Sequence, residues 1–157
     1  IVVPSFNSSG YANYFIARSY GYDWPRYKNP PASRDIIFNE LYVNWDEDIV
    51  IVEGVFDAIK AGNAIPLLGS TLRENSALFQ AIVKGGNRVF LALDEDASKK
   101  TRSISRLLLK YGIETYEIDT SGIEDVGDMS KEEFQVRKSK ASFIEKDNYL
   151  LQRLSAI

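Results

Sequence analysis

From residue 49 onward, apolar runs alternate with short polar stretches punctuated by glycine. Ile49 to Val52 are all β-branched, the pattern of a strand covered on both faces. The run ends at Glu53, and Gly54 permits a sharp turn into a helix over 55–62, closed by Gly62-Asn63. A short strand over 64–68 stops at Gly69. Ser70-Thr71 are placed to cap a helix over 72–84, which Gly85-Gly86 ends. Arg88 to Leu93 form a further apolar strand, terminated by Asp94-Glu95-Asp96. Ile104, Leu107, Leu108 and Tyr111 recur at helical core spacing within 97–111, before Gly112. A strand over 113–118 and an acidic loop over 119–129 come next. Ser130 with Glu133 is a capping box that opens a helix. Phe143, Ile144, Leu150, Leu151 and Leu154 predict a last, packing helix over 142–155.

The first 45 residues read differently. Residues 1–4 and 12–17 are short strands around the turn cluster Phe6 to Gly10, which predicts a hairpin. Residues 18–34 are rich in Tyr, Trp, Pro and Gly and have little periodicity, hence a structured loop. Residues 36–45 are a short element, helix then turn. Strands alternating with helices predict an α/β fold: a Rossmann-like parallel sheet flanked by helices, with a small β-rich N-terminal flank.

Composition narrows the chemistry. The 157 residues suit one domain with a small appendage, and 45% hydrophobic content is enough for a core. There is no Cys and no His, which removes disulfides, zinc sites and thiol or imidazole catalysis. Carboxylates remain as metal ligands, and they prefer Mg²⁺, Mn²⁺ or Ca²⁺. No segment approaches 18 consecutive apolar residues, so a soluble protein without membrane association is expected. The chain opens on Ile1 rather than Met, as a piece of something longer would. The net charge of −3 argues mildly against nucleic acid, but the charge is segregated. Residues 18–34 hold Arg18, Arg26, Lys28 and Arg34 against Asp23 alone.

Acids follow three strand ends: Glu53 with Asp57, Asp94 with Asp96, and Asp125 with Asp128. Parallel strands put their C-terminal ends on one edge of a sheet, where ligands bind in open α/β folds. Six carboxylates gathered there would repel one another unless cations neutralise them, and paired divalent ions are a standard device for phosphoryl transfer. Each acid also has a plainer reading. Asp57 and Asp96 suit helix starts, and Asp125 and Asp128 suit a solvated turn. No Gly-x-Gly-x-x-Gly follows the first sheet strand, so dinucleotide binding has little support.

Glu53-Gly-Val-Phe-Asp57, Leu68-Gly-Ser-Thr-Leu72 and Leu93-Asp-Glu-Asp-Ala97 together resemble the TOPRIM domain of DnaG-type primases, topoisomerases and some nucleases. Upstream, Ile1 to Pro4, Ala17-Arg18, Arg26-Tyr-Lys-Asn-Pro30 and Ile37-Phe38 are similar to the segment that precedes TOPRIM in bacterial and phage primases. Downstream, Glu124-Asp-Val-Gly-Asp-Met129 is similar to their acidic motif. The resemblance spans roughly 1–135. It implies a primase-core piece over 1–45, a TOPRIM domain over 46–135 and a helical segment over 136–157.

The resemblance implies metal-dependent synthesis of RNA primers from ribonucleoside triphosphates on a single-stranded DNA template. The location would be the cytoplasm of a bacterial or phage-infected cell. Glu53, Asp94 and Asp96 would be catalytic and would bind Mg²⁺ or Mn²⁺, with Asp57, Asp125 and Asp128 as accessory acids. Arg18, Arg26 and Lys28 would contact nucleic acid or nucleotide phosphates. Glu95 and Lys99 depart from the family, which favours a small residue and a glycine there, and Lys99 or Lys100 would add a phosphate contact. The template-recognising zinc ribbon is absent, so weak or no activity is expected of this piece alone. Two alternatives share the residues: a TOPRIM nuclease, and a non-catalytic nucleic-acid-binding fragment. The aromatic residues Tyr20, Tyr22, Trp24 and Tyr27 interleave with the cations of 18–28, as base-stacking rings do; covering the sheet flank is the competing role. The last helix would pack, or else dock a replicative helicase or a following domain.

Overall fold

Strand β4 (Ile49–Val52) lies at the centre because none of its side chains reaches water: all four are 0% exposed. The computed structural model describes residues 1–21, 24–69, 71–94, 97–123 and 125–145. Successive residues of a strand point to opposite faces. Ile49 and Ile51 therefore pack with Phe79 and Ile82 of α2 (Ala77–Gly85) and with Ile104 and Leu108 of α3 (Ser98–Lys110). Val50 and Val52 pack on the other side with Ala61 of α1 (Val55–Ala61) and Phe134 of α4 (Lys131–Ser139). Each fully buried Ile, Val or Phe contributes about 1.5–3 kcal/mol. An apolar run without alternation is thus what a sheet sandwiched between two helical layers requires.

The sheet runs in the order β5 (Ala64–Pro66), β4, β6 (Val89–Ala92), β7 (Thr115–Glu117), β8 (Ser142–Phe143). The first four are parallel, and β8 is antiparallel to β7. Val52 pairs with Ala92 in register, so Glu53 and Leu93-Asp94 leave the same edge side by side. An antiparallel sheet of β1 (Val2–Phe6), β2 (Ala12–Arg18) and β3 (Tyr27–Lys28) forms the N-terminal flank. It meets the main sheet through a small cluster of Tyr14, Phe38 and Val55, the last from α1. The α/β class and the β-rich flank are as the sequence predicts.

Three local expectations are corrected. No helix begins at residue 142: Ser142–Phe143 is a strand, paired Glu117↔Ser142 and Tyr116↔Phe143. The Ile144 amide donates to the Thr115 carbonyl at 2.9 Å. Phe143 packs on Tyr116 at 5.3 Å and Tyr116 stacks on Phe90 at 4.7 Å, so a cross-strand ladder of rings wins over local helical spacing. The rest of that predicted helix lies outside the described residues. The second helix starts at Ala77, not residue 72, because Ser76 is its cap, accepting from the Phe79 amide at 3.4 Å. Leu72 instead enters the core at 7% exposure. Finally, the structured loop over 18–34 contains β3, paired with the end of β2.

Candidate active site

The C-terminal edges of β4 and β6 open into a cleft of about 330 Å³. Its walls include Glu53, Asp57, Asp94 and Asp125 together with Arg18, Tyr27 and Asn29. The parallel register carries the backbone of Asp94 against Glu53, whose Oε1 accepts the Asp94 amide at 3.2 Å. Glu53 Oε2 accepts from the Lys100 ammonium, one turn into α3. Both side chains of this ion pair are about one-fifth exposed, 23% for Lys100 and 21% for Glu53. Lys100, expected at a phosphate, is thus tied to the central carboxylate, while Lys99 is exposed on the same helix.

Asp57 is 5% exposed and is held by two backbone donors. Its Oδ2 accepts the Gly54 amide at 2.7 Å, and its Oδ1 accepts the Gly127 amide at 3.1 Å. Asp125 also accepts from Gly127, at 2.7 Å, as the cap of a short 3₁₀ turn over Val126–Asp128. Burial raises the Asp57 carboxyl from 3.8 to about 7, assisted by its hydrogen bond with Asp125 and by repulsion from Asp125 and Asp94. The Gly54 amide opposes this shift without cancelling it.

Of the residues singled out by sequence, Glu53, Asp57, Asp94, Asp125 and Arg18 share the cleft. Asp128 is exposed at the far end of its 3₁₀ turn and is not among the cleft walls. Asp96 falls outside the described residues. Arg26 and Lys28 are exposed on the N-terminal sheet. Arg18 lies between two rings, 5.6 Å from the Tyr27 centroid and 5.2 Å from that of Phe56. Phe56 and Asn29 were not singled out as site residues, although both lie inside the quoted motifs. The Asn29 side-chain oxygen is buried and has no hydrogen-bond partner among the described residues.

The all-oxygen donor set has the chemistry of a hard divalent ion. Among the described residues, however, no three acids stand close enough together to hold a metal. Glu53 and Asp94 are the neighbouring pair, and Asp57 is taken up by backbone amides.

No protein-family model matches the sequence, and no curated protein does. Solved structures do match. The Aquifex aeolicus primase, solved as its zinc-binding and RNA polymerase domains, superposes with a TM-score of 0.73 at 24% identity, over 91% of this chain and 40% of that one. The E. coli primase catalytic core matches with a TM-score of 0.72 at 21% identity, over 98% of this chain and 55% of that one. A DnaG primase catalytic domain bound to single-stranded DNA matches with a TM-score of 0.73 at 20% identity, over 90% and 53%. The fold is that of a DnaG-type primase catalytic core. The chain spans about half or less of the length of these structures.

Proposed function

We propose that this chain is part of the catalytic core of a DNA primase, joining ribonucleotides into short RNA primers on single-stranded DNA. One observation carries the reading: on a primase-core fold, Glu53 accepts the Asp94 amide at neighbouring strand ends, and both line one cleft with Arg18. In the reaction a 3′-hydroxyl attacks an α-phosphate, a P–O bond forms, and pyrophosphate leaves. Such chemistry asks for positioning and charge stabilisation more than for covalent help. Arg18, held between Tyr27 and Phe56, presents a planar donor fork suited to phosphate. Glu53 is the carboxylate proposed to orient the attacking hydroxyl or accept its proton, on release of the Lys100 ammonium from Oε2. Mg²⁺ or Mn²⁺ held by Glu53, Asp94 and Asp96 would supply charge stabilisation at the phosphoryl oxygens.

Arg26 and Lys28 are proposed as phosphate contacts, residues 46–135 as the TOPRIM unit, and the cytoplasm as the location. None of the described helices is long and apolar enough to cross a membrane. A single-stranded template, ribonucleoside triphosphates and the RNA primer are the proposed partners, with a replicative helicase as a further one. The test is primer synthesis on single-stranded DNA by the full-length protein. Asp94→Ala should abolish it, and undiminished synthesis by that variant would sink the assignment. Cleavage of DNA in the absence of nucleotides would favour a nuclease instead.

A further inference from the structure

A second cavity, of about 380 Å³, lies at the C-terminal end of β5. Leu67 and Leu68 line both it and the acid cleft, so the two are neighbours. Their charges differ in sign. The cleft gathers Glu53, Asp57, Asp94 and Asp125 against Arg18. Among the described residues, the cavity has Arg34 and Arg73 against a single acid, Asp35. That acid is engaged: its Oδ1 accepts the Ala77 amide at 2.9 Å. Neither guanidinium has a hydrogen-bond or ion-pair partner among the described residues. The apolar part of the wall includes Leu67, Leu72 and Leu78, all buried.

We infer that this cavity is a second nucleotide site, independent of metal, which takes the phosphates on Arg34 and Arg73 and the base against the leucines. Two unpaired guanidiniums in one cavity repel each other, and an anion between them removes that cost. Arginine also offers a planar fork that matches phosphate oxygens two at a time. The volume lies within the range of small-molecule sites, roughly 300–1,000 Å³, and exceeds what a bare phosphate fills. The leucines give a flat base an apolar face, for which an inorganic anion has no use. The two sites differ in what they require. Carboxylates repel phosphate unless a divalent ion stands between them, so a nucleotide in the cleft depends on metal. The cavity supplies its own cations. No pair of carboxylates lines it among the described residues, so its ligand is held and not transformed. The inference does not rest on the primase reading.

The test is calorimetric titration of the chain with ATP in the presence of EDTA, which leaves the acid cleft without a divalent ion. A single ATP should bind. Arg34→Ala and Arg73→Ala should each weaken it about 10- to 150-fold, as loss of hydrogen bonds to a charged group does. Both side chains are exposed, so neither substitution opens the core, and circular dichroism checks that each variant folds. Arg73→Lys should recover only part of the affinity, because an ammonium keeps the charge and loses the fork. Asp94→Ala, in the cleft, should leave binding in EDTA unchanged. Inorganic tripolyphosphate should bind more weakly than ATP, since it brings no base to the leucines. No binding of ATP in EDTA by the folded wild-type chain would overturn the inference, and so would binding that survives both arginine substitutions. Tripolyphosphate binding as tightly as ATP would overturn the assignment to a nucleotide. Each of these results leaves the primase reading intact, and undiminished primer synthesis by Asp94→Ala would sink that reading without touching this one.

Discussion

Asp57 and Gly127 are seventy residues apart, and the carboxylate of one accepts the amide of the other at 3.1 Å. This bond ties the first turn of α1 to the 3₁₀ turn at Val126–Asp128, closing one wall of the acid cleft. It depends on a bare α-carbon: a Cβ on Gly127 would lie 3.0 Å from Asp125 Oδ1 and 3.2 Å from Asp57 Oδ1. Gly127→Ala should therefore destabilise the chain by about 1–3 kcal/mol, the usual range for overpacking. Asp57→Ala, which strands two amide donors, should cost about 2–3 kcal/mol. Urea denaturation monitored by circular dichroism checks both.

Stability should fall as pH rises through neutrality. The Asp57 carboxyl titrates near 7 in the folded chain against 3.8 for the ordinary group, so between those values the native state holds a proton that the unfolded state has lost. The associated stability is complete below about pH 3.8 and is lost as pH passes 7. Its upper bound is about 4 kcal/mol, from about 1.36 kcal/mol per pH unit. Asp57→Asn should flatten this segment of the stability curve. Denaturant midpoints measured from pH 5 to 8 would show it, and an equal slope in wild type and variant would refute the assignment.

Lys100 and a divalent cation would compete for Glu53, because the ammonium already holds Oε2. Lys100→Ala should therefore raise Mn²⁺ affinity several-fold, and Glu53→Gln should lower it. Electron paramagnetic resonance titration of free Mn²⁺ measures both without any turnover. Weaker binding in Lys100→Ala would mean that the lysine supports the metal site instead of opposing it.

Ser76→Ala should destabilise by about 1 kcal/mol, as removal of an N-cap does. Thr71→Ala should cost less than half of that, since α2 begins at Ala77 and Thr71 caps nothing in it. Thermal melts of the two variants decide between the cap seen in the structure and the cap that local pattern suggests.

Much of this molecule was legible along the chain. The β-branched run Ile49 to Val52 announces a strand covered on both faces, and Gly62, Gly86 and Gly112 mark where the first three helices stop. Both signals are local, because burial pattern and turn chemistry are written within a few residues. Acids after parallel strands could be expected at one sheet edge, and Glu53 and Asp94 do meet there. What the linear pattern could not decide was which groups each acid would face. The Lys100–Glu53 pair spans 47 residues, and the Asp57–Gly127 bond spans 70. Such partners are set by how strands register and helices settle, not by spacing. Phe143 shows the same limit: its seven-residue spacing to Leu150 fits a helix, yet a ring ladder on Tyr116 drew it into the sheet. The sequence alone determined the layers, the strand ends and the supply of carboxylates. The tertiary structure decided which carboxylate is raised in pKa by burial, which is paired with lysine, and which lies out in solvent, because burial and long-range partners set the energy of a charge.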